Sequence, residues 1–247
     1  MIRSGNPALK SDTFSSPIGA GSDAMTLDGT VNKCIFSLLI LLVPAAFVWE
    51  QFFSQMEPAS PTGYMMVGGI GGFIVAMVTV FKQKWAPFTV PLYAALQGLF
   101  LGGISATFEL RFPGIVIQAV GLTMMVFLAL LFAYKSKLIQ ATENFKLGIT
   151  AATGGIALLY IVQLVLSFFG IHIPYIHESG PIGIGFSLVV VTIAALNLVM
   201  DFDFIENGAA RRAPKYMEWY AAFGLLVTLV WLYLEMLRLL AKLQSRR

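Results

Sequence analysis

The feature that most constrains this 247-residue chain is the recurrence of long apolar segments between about residue 33 and residue 240. A bilayer has a hydrocarbon core of about 30 Å, which about 20 apolar residues in an α-helix can cross. The apolar segments are 34–49, 64–81, 85–108, 113–134, 147–169, 182–200 and 219–240. Helices are expected because a lipid-exposed segment must satisfy its own backbone polar groups. We therefore predict an all-α polytopic membrane protein with about seven transmembrane helices in a bundle.

The composition supports a protein that lies in the lipid bilayer. Hydrophobic residues make up 57% of the chain and charged residues 12%, against about 25% charged residues in soluble domains. The net charge is +3, but the basic residues are scattered between apolar segments. This distribution is typical of loops that follow the positive-inside rule and does not favour nucleic-acid binding.

The sequence contains no motif that predicts an enzyme or a cofactor. Cys34 is the only cysteine, which excludes an intramolecular disulfide or a CxxC metal site. Catalytic elbow, zinc-protease, Walker and EF-hand motifs are also absent. We expect no catalytic activity and no cofactor, with calcium considered only as a transported or bound ion.

Changes in polarity along the chain divide it into three parts. Residues 1–32 are rich in Ser, Gly, Asp and Pro and are predicted to form a flexible arm, residues 33–241 the transmembrane domain and residues 242–247 a basic tail. The arm has no continuous apolar core of a signal peptide, so the first membrane helix is expected to direct targeting.

Glycine pairs within the apolar segments predict close contacts between helices. The pairs are Gly68–Gly72, which spans five residues of sequence GGIGG, then Gly98 with Gly102, and Gly154 with Gly155. Small residues at such spacing let the backbones of two membrane helices approach each other closely.

The distribution of basic residues predicts the orientation. Eleven lie on one side of the predicted membrane: Arg3, Lys10, Lys33, Lys82, Lys84, Lys135, Lys137, Lys146, Arg211, Arg212 and Lys215. The opposite loops hold only Arg111, so the N-terminus is predicted to be cytoplasmic. Seven full spans would export the tail, which is basic, so a re-entrant last helix stays an alternative.

Charged residues at the opposite face have two interpretations. The acids there are Glu50, Glu57, Glu109, Glu178 and Glu235. They could form a rim that concentrates cations, or they could simply be solvated charges. His172 and His177 lie near Glu178 and could bind a metal or sense pH, although solvated histidines are the simpler interpretation.

The acidic segment Asn197–Glu206, at the end of the sixth apolar segment, is the best candidate for a functional site. It holds Asp201, Asp203 and Glu206, and Glu218 follows across a basic loop. Carboxylates at membrane depth are costly and are functional candidates by default. The alternative is that they lie in the cytoplasmic interface, above all Glu206 and Glu218.

Spacing around the loop between the last two helices relates other positions to Asp201. If that hairpin is symmetric about Pro214, Asp201 and Thr228 lie at similar depth. Glu235 and Arg238 are three residues apart on one helical face and can form an ion pair.

Several stretches of the chain resemble the Bax inhibitor-1 family, also called the transmembrane Bax-inhibitor-motif family, in its bacterial branch. They are Arg3–Leu9 (RSGNPAL), Ala95–Ala106 (ALQGLFLGGISA), Met200–Glu206 (MDFDFIE), Met217–Gly224 (MEWYAAFG) and Leu234–Leu240 (LEMLRLL). The resemblance implies a seven-helix fold with a central last helix. It also implies a bacterial cytoplasmic membrane and a pH-sensitive calcium leak, gated by an aspartate on each of the last two helices.

Transfer of the family's residues to this chain is incomplete. Asp201 matches the aspartate of the sixth helix and Arg238 an arginine near the end of the last helix, but Thr228 stands where the second aspartate is expected. Gln97 likewise replaces a glutamate of many members. Asp203, Glu218 or Glu235 would have to supply a relocated partner, because carboxylates that share a site bias each other's protonation.

Two functions are therefore compared. The first is a cation leak, for calcium, with Asp201 as the gate and with Asp201 and Asp203 as tentative calcium ligands, since calcium prefers oxygen ligands. The second is a regulatory partner of other membrane proteins in stress response or membrane-protein quality control.

Overall fold

The computed structural model describes residues 24–54, 61–170 and 179–246. Within these ranges the chain forms seven long α-helices: α1 (Leu27–Phe53), α2 (Thr62–Phe81), α3 (Ala86–Arg111), α4 (Ile115–Lys135), α5 (Glu143–Phe168), α6 (Pro181–Ala210) and α7 (Met217–Gln244). A 3-10 helix, Gln83–Trp85, precedes α3. All seven are long and apolar enough to cross a membrane. The prediction of an all-α polytopic membrane protein is confirmed.

The helices extend beyond the apolar segments that predicted them. α1 begins at Leu27, within the part of the chain assigned to the polar arm, because Thr26 caps it by accepting a hydrogen bond from the amide of Gly29. α6 continues past residue 200 to Ala210, and α7 continues to Gln244, into the part assigned to the basic tail. Hydropathy marks only the part of a helix suited to hydrocarbon, whereas caps and turns decide where the helix ends.

The described residues divide into two compact units. The first unit lies within Asp12–Pro113 and Phe204–Val227, and the second within Gly114–Asp203 and Thr228–Arg247. The first unit therefore contains α1 to α3, and the second contains α4 and α5, each with parts of α6 and α7.

Glycines pack helices tightly in the first unit. A Cβ atom on Gly68 would lie 2.5 Å from the carbonyl oxygen of Leu96. A Cβ atom on Gly98 would collide with the carbonyl oxygen of Leu41, and one on Gly102 would lie 2.7 Å from that of Ala45. Because the obstacle is backbone in each case, these predicted contacts are confirmed.

The prediction of a close helix contact at Gly154 and Gly155 is wrong. Gly154 and Gly155 lie on an exposed face of α5, and a Cβ atom on either would meet no described atom within 4 Å. In the most hydropathic window of α5 only 11% of the residues are buried. Most of its surface is therefore available to lipid, so a glycine pair on it need not meet another helix.

Burial differs strongly among the helices. In the most apolar stretch of α7, 67% of the residues are buried. The share is 50% in each of the spans that contain α3 and α6, and it is lower in the other helices. The central position of the last helix stays a prediction.

Some of the predictions concern positions outside the described residues. These are the arm as far as residue 23, Glu57, His172, His177, Glu178 and Arg247.

Candidate functional site

The acidic segment at the end of α6 is helical throughout, and its three carboxylates have different environments. Asp201 is buried, with 1% of its surface exposed, whereas Asp203 is intermediate and Glu206 is exposed. Residues two apart on an α-helix project about 200° apart. Asp201 and Asp203 therefore face different surroundings, and a calcium ion held by either would need other ligands. Calcium binding by these residues stays a prediction.

Asp201 lies in a tightly packed part of α6. Leu198, Met200 and Phe202 are all buried beside it. On α7, the residue predicted to lie at matching depth, Thr228, is also buried. Both belong to the second unit. Burial makes the interactions of Asp201 depend strongly on whether its carboxyl group is ionised.

Asp203 pairs with a lysine from α5. The Nζ atom of Lys146 lies 2.8 Å from Oδ2 of Asp203, and the exposed fractions of the two side chains are 7% and 19%. Lys146 also lies 3.7 Å from Glu143, whose side chain is 66% exposed. Lys146 was expected in a basic loop, but it lies in the first turns of α5. It is there because α5 begins at Glu143, capped by Thr142.

Glu218 joins the beginnings of α1 and α7 in the first unit. Its Oε1 accepts hydrogen bonds from the amide and the hydroxyl of Thr26, at 3.0 and 2.9 Å. Lys215 Nζ lies 2.8 Å from the same oxygen. A Cβ atom on Gly29 would collide with this carboxylate, so a side chain at that position would displace the carboxylate from its present place. Glu218 is 1% exposed, so protein groups enclose its carboxylate, and its pair with Lys215 agrees with the alternative that it lies beside the basic loop.

Glu235 forms the core of a third polar cluster, in the second unit. Its Oε1 accepts hydrogen bonds from Tyr160 Oη at 2.9 Å and from Arg238 at 2.6 Å. The Arg238 guanidinium also lies 5.5 Å from the centre of the Tyr160 ring. The predicted Glu235–Arg238 ion pair is confirmed. Glu235 is only 1% exposed, so its assignment to a solvated outer rim is wrong: Tyr160 and Arg238 cover it.

Two further contacts connect helices of the second unit. The side-chain amide of Asn197 donates to the hydroxyl of Thr153 at 2.8 Å. Lys242 donates to the carbonyl of Gly183 at 3.0 Å and to the hydroxyl of Ser187 at 2.8 Å. Lys242 therefore belongs to α7 and connects this helix to α6 by hydrogen bonds. Its assignment to a basic tail is wrong.

Each residue considered as a relocated partner of Asp201 is thus bound to a base. Asp203 binds Lys146, Glu218 binds Lys215, and Glu235 binds Arg238. Among the described residues, no group of three or more His, Cys, Asp or Glu side chains is arranged to hold a metal ion.

Sequence reasoning missed the partners that come from other helices. Lys146 was assigned to a loop, Tyr160 was included in an apolar segment, and Thr26 was assigned to the arm. A signal was present for Lys146, since an ionisable residue next to an apolar segment can lie at membrane depth. Tyr160 carried no signal, because tyrosine is common in membrane helices.

Comparison with known protein families gives one match. A family model described as Bax inhibitor 1 like matches residues 6–245, nearly the whole chain. A search of curated proteins found no match.

Proposed function

This chain belongs to the Bax inhibitor-1-like family of membrane proteins, and we propose that it is a cation leak, for calcium, controlled by protonation around Asp201. The observation that carries the proposal is the burial of Asp201, 1% exposed on a helix long enough to cross a membrane. Charged groups at such positions are costly, and they mark ion pathways and proton relays in membrane proteins.

Asp201 is a better candidate for control than the other acids. Asp201 matches the sixth-helix aspartate of the family, which Asp203, Glu218 and Glu235 do not, and it is buried, whereas the neighbouring acids Asp203 and Glu206 are more exposed. A proton that binds Asp201 changes the charge at a buried position of α6, whose chain neighbours Met200 and Phe202 are buried too. In a low-dielectric environment such a change alters helix contacts strongly.

The gate that we propose has one carboxylate at this depth. Thr228 can donate and accept hydrogen bonds, but it does not titrate in the physiological range. Protonation of Asp201 therefore replaces a charged acceptor by a neutral group that also donates. A cation attracted to ionised Asp201 would be released by the same event, which couples permeation to pH.

We further propose that the chain lies in a bacterial cytoplasmic membrane with its N-terminus in the cytoplasm. The loop between α6 and α7 supports this orientation, because it holds the exposed bases Arg211, Arg212 and Lys215.

The test is calcium efflux from liposomes that contain purified protein, compared with protein-free liposomes. Efflux should exceed the protein-free rate. Asp201→Asn, which removes the charge while nearly keeping the shape, should lower efflux if the carboxylate attracts the ion. It should raise efflux if ionised Asp201 holds a closed contact.

Control variants separate Asp201 from its acidic neighbours. Asp203→Asn and Glu218→Gln should change the pH dependence of efflux less than Asp201→Asn does. Thr228→Asp should add a second carboxylate and produce two protonation steps that belong to the pair. Liposomes that never leak calcium at any pH would refute the leak and favour a regulatory partner of other membrane proteins.

A further inference from the structure

One face of α5 is buried or partly buried along most of the helix. Its residues follow alternating spacings of three and four: Lys146, Ile149, Thr153, Ile156, Tyr160 and Gln163. Gly154, Leu158 and Val162 lie on other faces and are exposed. Three residues of the first face are polar and lie seven residues apart along the chain: Lys146, Thr153 and Tyr160.

Each of these three polar residues contacts a polar group on α6 or α7. Lys146 pairs with Asp203 at 2.8 Å, Thr153 accepts from Asn197 at 2.8 Å, and Tyr160 donates to Glu235 at 2.9 Å. Seven residues of α-helix rise about 10.5 Å. The three polar layers therefore extend over about 21 Å of a hydrocarbon core of about 30 Å.

Helix packing alone does not require this arrangement. Hydrogen bonds between membrane helices contribute about 0.6–2 kcal/mol, which small hydroxyl and amide groups can supply without buried charge. Here the two terminal layers contain full charges, at Asp203 and Glu235. One turn beyond Tyr160, Gln163 has a buried Oε1 atom without a hydrogen-bond partner among the described residues. An amide oxygen is an acceptor that suits water or a cation.

Apolar side chains separate the polar layers. Ile149, which is buried, lies between Lys146 and Thr153, and Ile156 lies between Thr153 and Tyr160. Apolar constrictions between polar sites block ion passage when they are dry and permit it when they hydrate.

We propose that cations cross the membrane along this face of α5, and that Lys146 and Arg238 close its two ends by occupying Asp203 and Glu235. The inference deepens the proposed leak and rests on it. A cation that enters at either end must displace a tethered ammonium or guanidinium group from a carboxylate. Such competition slows permeation, as expected for a leak.

The experiment measures the access of water-soluble cations to the middle layer. In a Cys34→Ala background, Thr153→Cys is treated with a small cationic methanethiosulfonate reagent, added separately to each face of membrane vesicles. Gly154→Cys is the matched control, because it is the next residue and lies on the exposed face. Reaction requires a thiolate, which lipid disfavours, so Thr153→Cys should react at least about tenfold faster than Gly154→Cys.

Opening either end should then change the reaction from one face only. Lys146→Gln should accelerate modification of Thr153→Cys from the face where α5 begins, and Arg238→Gln from the opposite face. Tyr160→Phe removes one hydroxyl from the Glu235 cluster and serves as a milder opening if Arg238→Gln fails to fold. Gel filtration and circular dichroism verify folding of each variant.

The inference is overturned if Thr153→Cys reacts as slowly as Gly154→Cys in every folded background while the wild-type protein leaks calcium. In the converse result, Thr153→Cys reacts rapidly but calcium efflux is absent. The proposed calcium leak then fails, and calcium passage along α5 fails with it, although access of small cations to the middle layer would be established.

Discussion

The ion pair between Lys146 and Asp203 gives a quantitative prediction about stability. Removing one partner of a buried ion pair typically costs about 3–5 kcal/mol, because the remaining charge stays buried alone. The exposed fractions of the two side chains are 7% and 19%, so some hydration of the remaining charge is available. We therefore expect Lys146→Met to lower the free energy of unfolding by about 2–3 kcal/mol.

A double-mutant cycle isolates the pair from other effects of these substitutions. Lys146→Met, Asp203→Asn and the double variant are compared by equilibrium unfolding in mixed micelles with increasing sodium dodecyl sulfate. The expected coupling energy is about 2 kcal/mol, or about 30-fold in the unfolding equilibrium. The double variant should be nearly as stable as either single variant, since no charge remains uncompensated.

Glu143 provides the matched control for this cycle. It also lies close to Lys146, at 3.7 Å, but its side chain is 66% exposed. Solvent screening should limit the Glu143–Lys146 coupling to less than about 0.5 kcal/mol. A Lys146–Asp203 coupling no larger than the Glu143–Lys146 coupling would refute the reasoning.

Two further predictions concern packing and topology. Gly98→Ala should destabilise the protein by about 1–3 kcal/mol in the same unfolding assay, because its Cβ atom would collide with the Leu41 carbonyl. Gly121→Ala, which meets no described atom within 4 Å, should be neutral or stabilising, and equal effects of the two substitutions would contradict the packing argument. In a cysteine-free background, Ser136→Cys should be labelled from the cytoplasm and Ser179→Cys from the opposite side. Labelling of both from one side would exclude the proposed orientation.

The helices could be predicted from sequence because burial in lipid leaves a strong hydropathy signal. The same signal could not locate helix ends such as Leu27 or Ala210, which depend on caps and polar residues beyond the hydrocarbon region. Glycine pairs were informative at Gly68 and Gly98. They were misleading at Gly154, because spacing does not reveal whether another helix faces the pair.

The candidate site could be predicted only where its partners lie close in sequence. Glu235 and Arg238 are three residues apart, and helical geometry brings them together. Lys146 and Asp203 are on different helices, so their contact depends on the register between α5 and α6, which one sequence does not specify. The burial of Glu218 was missed for the same reason, since Thr26 lies far from it along the chain.

The most direct test of the central claim is the pH profile of calcium efflux from liposomes that contain wild-type protein or Asp201→Asn, measured side by side. The account predicts efflux above the protein-free rate and a pH dependence that is lost or strongly reduced in the folded variant. The same efflux and pH response in folded Asp201→Asn would contradict the claim and remove this carboxylate from the mechanism.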